Sequence, residues 1–329
     1  MLFCVCMKVK KRIEISRART RLLTEIRRFF ENKQHLEIET PVLSPVKIPE
    51  SHIELFSTCY KAGTSGDRML CLVPSPEVWM KRLLAEGFPS CFQVTRSFRN
   101  AEQLGRLHNP EFTMLEWYTI GAGYMNSLQI TQELLQAVGF NGTALPESSS
   151  ASVLSMRELF LRYTGIDIKH CPGMKDLRET AREKGYEMEC STWEECFHKI
   201  FIGHVEPCLA DIPILFIYNY PRQISCLAKN LQDTPYKERW ELYIRGIEIA
   251  NCYTELRDPV EVTRFLEEEM AASEQSGDNV PYDINLAEIS SRMPACSGVA
   301  LGIDRLLMAV TGAATIDEVL LFSPAGSDA

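Results

Sequence analysis

The 329-residue chain lacks any apolar run approaching the roughly eighteen residues that a membrane-spanning helix needs. Its start, Met1–Met7, is apolar but short. No basic segment precedes it and no small-residue cleavage site follows, so it does not read as a signal peptide. Positive charge is scarce: 35 Lys and Arg face 44 Asp and Glu, leaving a net charge of −9. That balance argues against a general nucleic-acid binder and allows only a local basic surface. Two common phosphate cradles, G-x-x-x-x-G-K-[ST] and G-x-G-x-x-G after a strand, are absent. So are H-E-x-x-H and G-x-S-x-G. If ATP binds, it binds by another solution. There is no internal repeat and no low-complexity domain. The 12 cysteines are scattered along a long chain, which reads as reduced thiols in a cytoplasm. Cys190, Cys196, His198 and His204 lie close together, but at none of the usual zinc spacings.

What is present is an ordinary globular composition, 45% hydrophobic and 24% charged, long enough to bury a large core without staples. Residues 8–28 are locally basic: Lys8, Lys10, Lys11, Arg12, Arg17, Arg19, Arg21, Arg27 and Arg28 are opposed only by Glu14 and Glu25. Apolar residues at helical spacing predict an amphipathic helix from Ser16 to about Asn32, and a solvated face is the default reading of its charges. Leu36–Glu39 reads as a short strand stopped by Pro41. Ser75-Pro76-Glu77 opens a helix, with Ser75 as N-cap and Pro76 at the first helical position. Strands are expected at Cys91–Phe98, Phe112–Tyr118, Ile214–Tyr218, Trp240–Ile244, Ile247–Tyr253 and Gly298–Leu301. Helix is expected over most of 155–204, at Pro259–Ala272 and at Asp304–Val310. Strands follow strands without regular βαβ alternation, which points to an α+β fold with a largely antiparallel sheet.

Three stretches carry unusual chemistry. Period-two alternation places Phe112, Met114, Glu116 and Tyr118 on one strand face, with Arg99 at the end of the preceding strand. An Arg fork suits a phosphate, although periodicity alone slightly favours an aromatic core strand with one surface ion pair. Asn251, Tyr253 and Glu255 share a second face, and Glu241 and Glu248 flank Gly246. Paired carboxylates without an evident basic partner suit Mg²⁺ bridging phosphates; an exposed polar sheet face is the alternative. In Gly298-Val299-Ala300-Leu301-Gly302-Ile303-Asp304-Arg305, small residues permit close backbone approach. Arg305 in a first helical turn opposes the helix dipole and needs an acidic neighbour or an anionic ligand.

At these blocks the chain resembles the class II aminoacyl-tRNA synthetase catalytic core, most closely its lysine branch. Glu25 to Pro45 looks like motif 1, Arg96 to Tyr118 like motif 2, and Gly298 to Met308 like motif 3. Ser75 to Leu83 and Gly246 to Asn251 also match the lysine branch. The resemblance spans about Ile13 to Phe322, so residues 1–12 read as an N-terminal extension and 13–329 as one catalytic domain. Motif 1 lies almost at the first residue, where bacterial lysyl-tRNA synthetases carry an OB-fold anticodon-binding domain. The layout resembles the lysyl-tRNA synthetase paralogues that join (R)-β-lysine to elongation factor P.

That resemblance implies a cytoplasmic homodimer formed through motif 1, with ATP, Mg²⁺, a lysine-type amino acid and elongation factor P as partners, and neither tRNA nor membrane. It implies that Arg99 holds the α-phosphate and that Phe112 and Arg305 sandwich adenine, with Arg305 also meeting the γ-phosphate. His108 would contact the phosphates, and Asn100 and Glu102 would belong to the ATP site. Glu241 and Glu248 would hold Mg²⁺. Glu77 and Glu255 would take the substrate's distal ammonium. Met114, Glu116, Tyr118, Asn251, Tyr253 and Ala300 would complete the substrate pocket. There are departures from the family pattern. The motif 2 loop, Ala101–His108, is one residue longer; Ala101 replaces the Glu that usually follows Arg-Asn; Cys252 stands at a usual Gly. Two alternatives remain open: a synthetase that charges tRNA with lysine, and a catalytically silent binding subunit.

Overall fold

The computed structural model describes residues 2–61, 63–101, 105–139, 151–273 and 280–322, without the side chains of 2–8 and 65. The first helix, α1 (Leu2–Asn32), starts well before the expected Ser16. No Gly or Pro interrupts it, and Lys and Arg are good helix formers. The apolar pattern marks only the part that packs: Leu22, Ile26, Phe29 and Phe30 are buried, whereas Val9 and Ile13 are about half exposed. Short strands β1 (Leu36–Glu37), β2 (Leu43–Ser44), β3 (Ser57–Tyr60) and β4 (Arg68–Leu72) follow, then α2 (Glu77–Ala85), β5 (Cys91–Phe98), β6 (Glu111–Ile120) and α3 (Tyr124–Ala137). Next come β7 (Ser152–Ser155), α4 (Met156–Thr164), α5 (Met174–Glu183), α6 (Trp193–Ile200), β8 (Ile214–Pro221), β9 (Tyr236–Ile244) and β10 (Ile247–Thr254). The chain ends with α7 (Pro259–Ser273), α8 (Leu286–Arg292), β11 (Cys296–Gly302) and α9 (Ile303–Thr311).

Among the described residues, eight strands form one sheet in the order β1-β5-β6-β11-β10-β9-β8-β7. Its pairs are antiparallel except at the two edges, where β1 runs parallel to β5 and β7 to β8. The α+β reading therefore holds. A second, three-stranded sheet, β2-β4-β3, was not foreseen, because strands this short carry too little alternation to register.

One face of the large sheet packs against α1, α3 and α9 around Phe30, Phe92, Leu115, Trp117, Trp240, Val299 and Leu301. Asp304 in α9 ties these layers together: it accepts the Thr113 N–H at 2.7 Å and pairs with Arg19 of α1. Cys252 belongs to this core, in register with Trp240 and Val299. A side chain there faces the helices rather than the site, which accounts for the change from Gly. A second core, including Phe160, Phe197, Leu215 and Tyr243, packs α4 and α6 on the far end of the sheet. There Cys190 and Cys196 form a disulfide, with Cα atoms 5.4 Å apart. This corrects the reading of these two as reduced thiols. The turn capped by Thr192 at the start of α6 brings the pair within the span of a bridge.

Candidate active site

The opposite face of the sheet is polar, and the register shows why. One row of cross-strand neighbours runs Glu241, Asn251, Ala300, Glu116, Gln93; the next runs Arg239, Tyr253, Gly298, Tyr118, Cys91. Alternation then sends Val299, Leu301, Leu115 and Trp117 to the core and their neighbours to this face. A cavity of about 190 Å³ lies over the rows, lined by Arg99, His108, Phe112, Met114, Glu248, Asn251, Ala300 and Arg305 among others. Three distant stretches of sequence therefore meet at one place.

At the anion-binding end, the Arg99 guanidinium lies over the Phe112 ring, 5.4 Å from its centroid. Arg305 donates from Nε to the Leu107 carbonyl (3.2 Å) and from Nη1 to the Glu248 carbonyl (3.1 Å), and lies 3.8 Å from the Glu248 carboxylate. These groups offset its unfavourable place in the first turn of α9. Glu241 accepts from Arg239 (2.7 Å) and from the Tyr243 hydroxyl (2.9 Å). Enclosure and the neighbouring Glu241 both push Glu248 upward from the usual carboxylate range, although with its side chain 39% exposed water screens part of this. Two carboxylates that repel each other beside arginines form an oxygen-only donor set, and Mg²⁺ typically takes one or two carboxylates plus phosphate oxygens.

Asn100 is not brought into the cavity. Its side chain donates to Glu54 Oε1 (3.2 Å) and accepts the Ala101 N–H (2.9 Å), stabilising a turn in which Ala101 has φ = 53°. That left-handed conformation costs a non-glycine residue about 1 kcal/mol. Glu102 lies outside the described residues.

The other end is a buried carboxylate nest. Glu116 accepts from Ser75 Oγ at 2.5 Å and from the Tyr118 hydroxyl at 3.0 Å. Ser75 also accepts the Glu77 N–H, but Pro76 is the N-cap of α2, correcting the expected capping. Glu255 is 2% exposed. Its Oε2 lies 2.8 Å from Lys81 Nζ, while its Oε1 has no hydrogen-bond partner among the described residues. Lys81 also donates to Glu77 at 2.5 Å. Glu77 and Glu255 therefore do not jointly await a ligand ammonium, as the resemblance implied; the chain's own lysine sits between them. Burial, then the charge of Glu77, pushes Glu116 up to about 8. Burial likewise pushes Glu255 up to about 7, against the pull of Lys81.

A cationic ligand at Glu255 Oε1 must find that carboxylate ionised, so its binding displaces the proton that Glu255 holds below about 7, while Glu116 keeps its own. Affinity for such a ligand should rise with pH through about 6 to 7, by up to about tenfold per unit below the Glu255 pKa. Binding at the arginine end should change little. Titration of both ligands over that range checks this; a flat or falling profile for the cation would contradict it.

Sequence reasoning missed four residues here. Lys81 was visible as the i+4 partner of Glu77, and Ser75 was read only as a cap. Arg239, which lies over the Tyr220 ring at 4.7 Å, preceded the expected start of its strand. Glu50 carries no local signal: it comes from an irregular segment held by the Lys47 N–H to Pro281 and the Glu54–Asn100 bridge. Burial and Glu77 push its carboxyl upward, and Arg99 and Arg239 also lie close enough to act on it.

The model of the tRNA synthetases class II (D, K and N) matches residues 4–325. The chain belongs to this family. Membership implies a ligase and accords with amino-acid activation by ATP and Mg²⁺. No helix among the described residues is long and apolar enough to cross a membrane.

Proposed function

We propose that the protein activates (R)-β-lysine with ATP and transfers it to the ε-amine of a lysine on elongation factor P. One observation carries the lysine-type substrate: Glu255 Oε1, buried without a partner among the described residues, in a carboxylate nest that the Ala300–Glu116 register joins to the arginine-lined cavity. A buried, unpaired acceptor costs about 1–3 kcal/mol, and a ligand ammonium relieves it. Asn251, Met114 and Ala300 line the cavity, and Tyr253 and Tyr118 stand in the adjacent cross-strand row on the side of the nest.

The substrate carboxylate attacks the α-phosphorus of ATP and pyrophosphate leaves. A protein amine then attacks the acyl carbon of the adenylate, AMP leaves, and an amide remains. No side chain acts as a nucleophile. Arg99 meets the α-phosphate and Arg305 the far phosphates, with adenine against Phe112 and His108 near the phosphate chain. Catalysis is therefore positioning plus charge stabilisation. Mg²⁺, held by Glu241 and Glu248, would neutralise phosphate charge. Homodimerisation fits α1, where Val9 and Ile13 are exposed beside Leu321. Lys10, Lys11 and Arg12 are a basic patch suited to docking the factor, and Lys11 is paired with Glu318.

The preference for the β-isomer rests on Ala300, which lies in register between Asn251 and Glu116. Its methyl projects where an α-ammonium would sit; moving the amine by one carbon, roughly 1.5 Å, avoids it. One methyl discriminates by about 1–3 kcal/mol, a preference and not a block. Intact-mass analysis of elongation factor P after incubation with ATP and either isomer tests this. The wild-type protein should add one β-lysyl group, and Ala300→Gly should shift kcat/KM towards α-lysine. An unmodified factor, or an equal change for both isomers, would contradict it.

A further inference from the structure

Lys81 is not used by the chemistry above, yet it is the most deeply placed cation of the site. It is 1% exposed, donates to Glu77 at 2.5 Å and Glu255 at 2.8 Å, and lies 5.8 Å from the Tyr253 ring centroid. We propose that Lys81 is the internal counter-ion of the amino-acid pocket: by pairing with Glu77 and with one oxygen of Glu255, it leaves a single acceptor, Glu255 Oε1, for a single ligand ammonium. Lys81 is thus a specificity-determining and positioning residue for the lysine-type substrate, and the inference rests on that reading of the site.

The argument is one of charge. Glu77 and Glu255 together with Glu116 place three carboxylates against one ammonium. Burial alone would lower Lys81, but Glu255 and Glu77 outweigh it and hold the lysine protonated. With Glu116 protonated near neutrality, the nest carries one uncompensated negative charge and takes one cation. The other titratable groups within electrostatic reach of it are Tyr118 and Cys91 from the sheet, Tyr253 and Cys252 from β10, Cys296 from β11, and Glu50, on which Glu77 acts from below and His52 from its own segment. Arg257 acts only on the Cys296 side, and Arg99 and Arg239 act on Glu50. None of these arginines replaces an ammonium between Glu77 and Glu255.

Two consequences separate a counter-ion from a structural prop. Without Lys81, Glu255 loses the partner that pulls it down and takes up a proton more readily. A ligand ammonium must then displace that proton, so binding weakens at low pH. At high pH the ionised nest carries one more negative charge than before, and the deficit closes or reverses. A prop, once removed, would weaken binding at every pH.

The experiment is amino-acid-dependent ATP–pyrophosphate exchange with lysine and (R)-β-lysine from pH 6.5 to 9, on the full-length wild-type protein, Lys81→Met and the double variant Glu77→Gln/Lys81→Met. The KM ratio of Lys81→Met to wild type should fall from at least about tenfold at pH 6.5 to about one or less at pH 9, with the KM for ATP within about threefold throughout. The double variant, which removes one negative and one positive charge, should recover the low-pH KM to within about threefold of wild type. A pH-independent KM ratio, or a double variant no better than the single one, would overturn the proposal. If Lys81→Met does not fold, the double variant decides alone: a wild-type profile supports the counter-ion, and a shifted one rejects it. A wild-type protein that exchanges with no lysine-type amino acid would instead refute the functional reading beneath it.

Discussion

Gly298→Ala should lower kcat/KM for the amino acid by ~100-fold or more, the scale expected when a side chain is displaced by about 1 Å at a reacting site. Gly298 lies in register between Tyr253 of β10 and Tyr118 of β6. A Cβ there would stand 2.6 Å from Tyr118 Cε1 and 2.7 Å from Glu255 Oε1. Neither wall can retreat: Tyr118 packs against Met80 and Leu84 of α2, and Glu255 is tied to Lys81. The methyl would therefore occupy the place proposed for the ammonium, or push Glu255 from it. ATP binding, four residues further along β11 at Gly302 and beyond it at Arg305 in α9, should be nearly unchanged. Exchange kinetics at saturating ATP, with a melting curve to confirm folding, check this. A wild-type KM for the amino acid would remove Glu255 Oε1 from the binding site.

The second large effect is expected at Arg305. Its guanidinium joins the end of the motif 2 loop, through the Leu107 carbonyl, to the Glu248 backbone on β10. It is 24% exposed and borders the cavity. Loss of one such preorganised donor to a charged transition state costs ~10²–10³ in kcat, and Arg305→Ala should fall in that range with a raised KM for ATP. Arg305→Lys should recover little, because an ammonium cannot keep both carbonyls and still present a planar fork to phosphate. The KM for the amino acid should move by less than about threefold. A kcat within about threefold of wild type would show that Arg305 only anchors the loop.

The strands that carry the site were legible because each is long and alternates: Phe112 to Tyr118, and Asn251 and Tyr253, lie on the faces that period two assigns them, while Glu255 lies just past the end of β10. What alternation cannot supply is the pairing partner. Gly298 was read as a small residue that permits close approach, but only the register with Tyr118 and Tyr253 shows what approaches. Lys81 was visible as an i+4 partner of Glu77, yet its second bond, to Glu255, spans just over half of the chain and has no local signature. Glu50 and Ser75 fail for the same reason, since irregular segments are placed by their contacts and not by periodicity. The early start of α1 was missed for a different cause: helix without a buried face leaves no hydrophobic pattern to read.

Amino-acid-dependent ATP–pyrophosphate exchange, run with (R)-β-lysine, α-lysine, aspartate and asparagine, tests the account most directly, because it reports adenylate formation without any acceptor. The carboxylate nest predicts exchange with the two lysines, (R)-β-lysine the better by tens to a few hundred-fold, and none with aspartate or asparagine. Exchange driven by aspartate or asparagine, or by no amino acid at all, would contradict it.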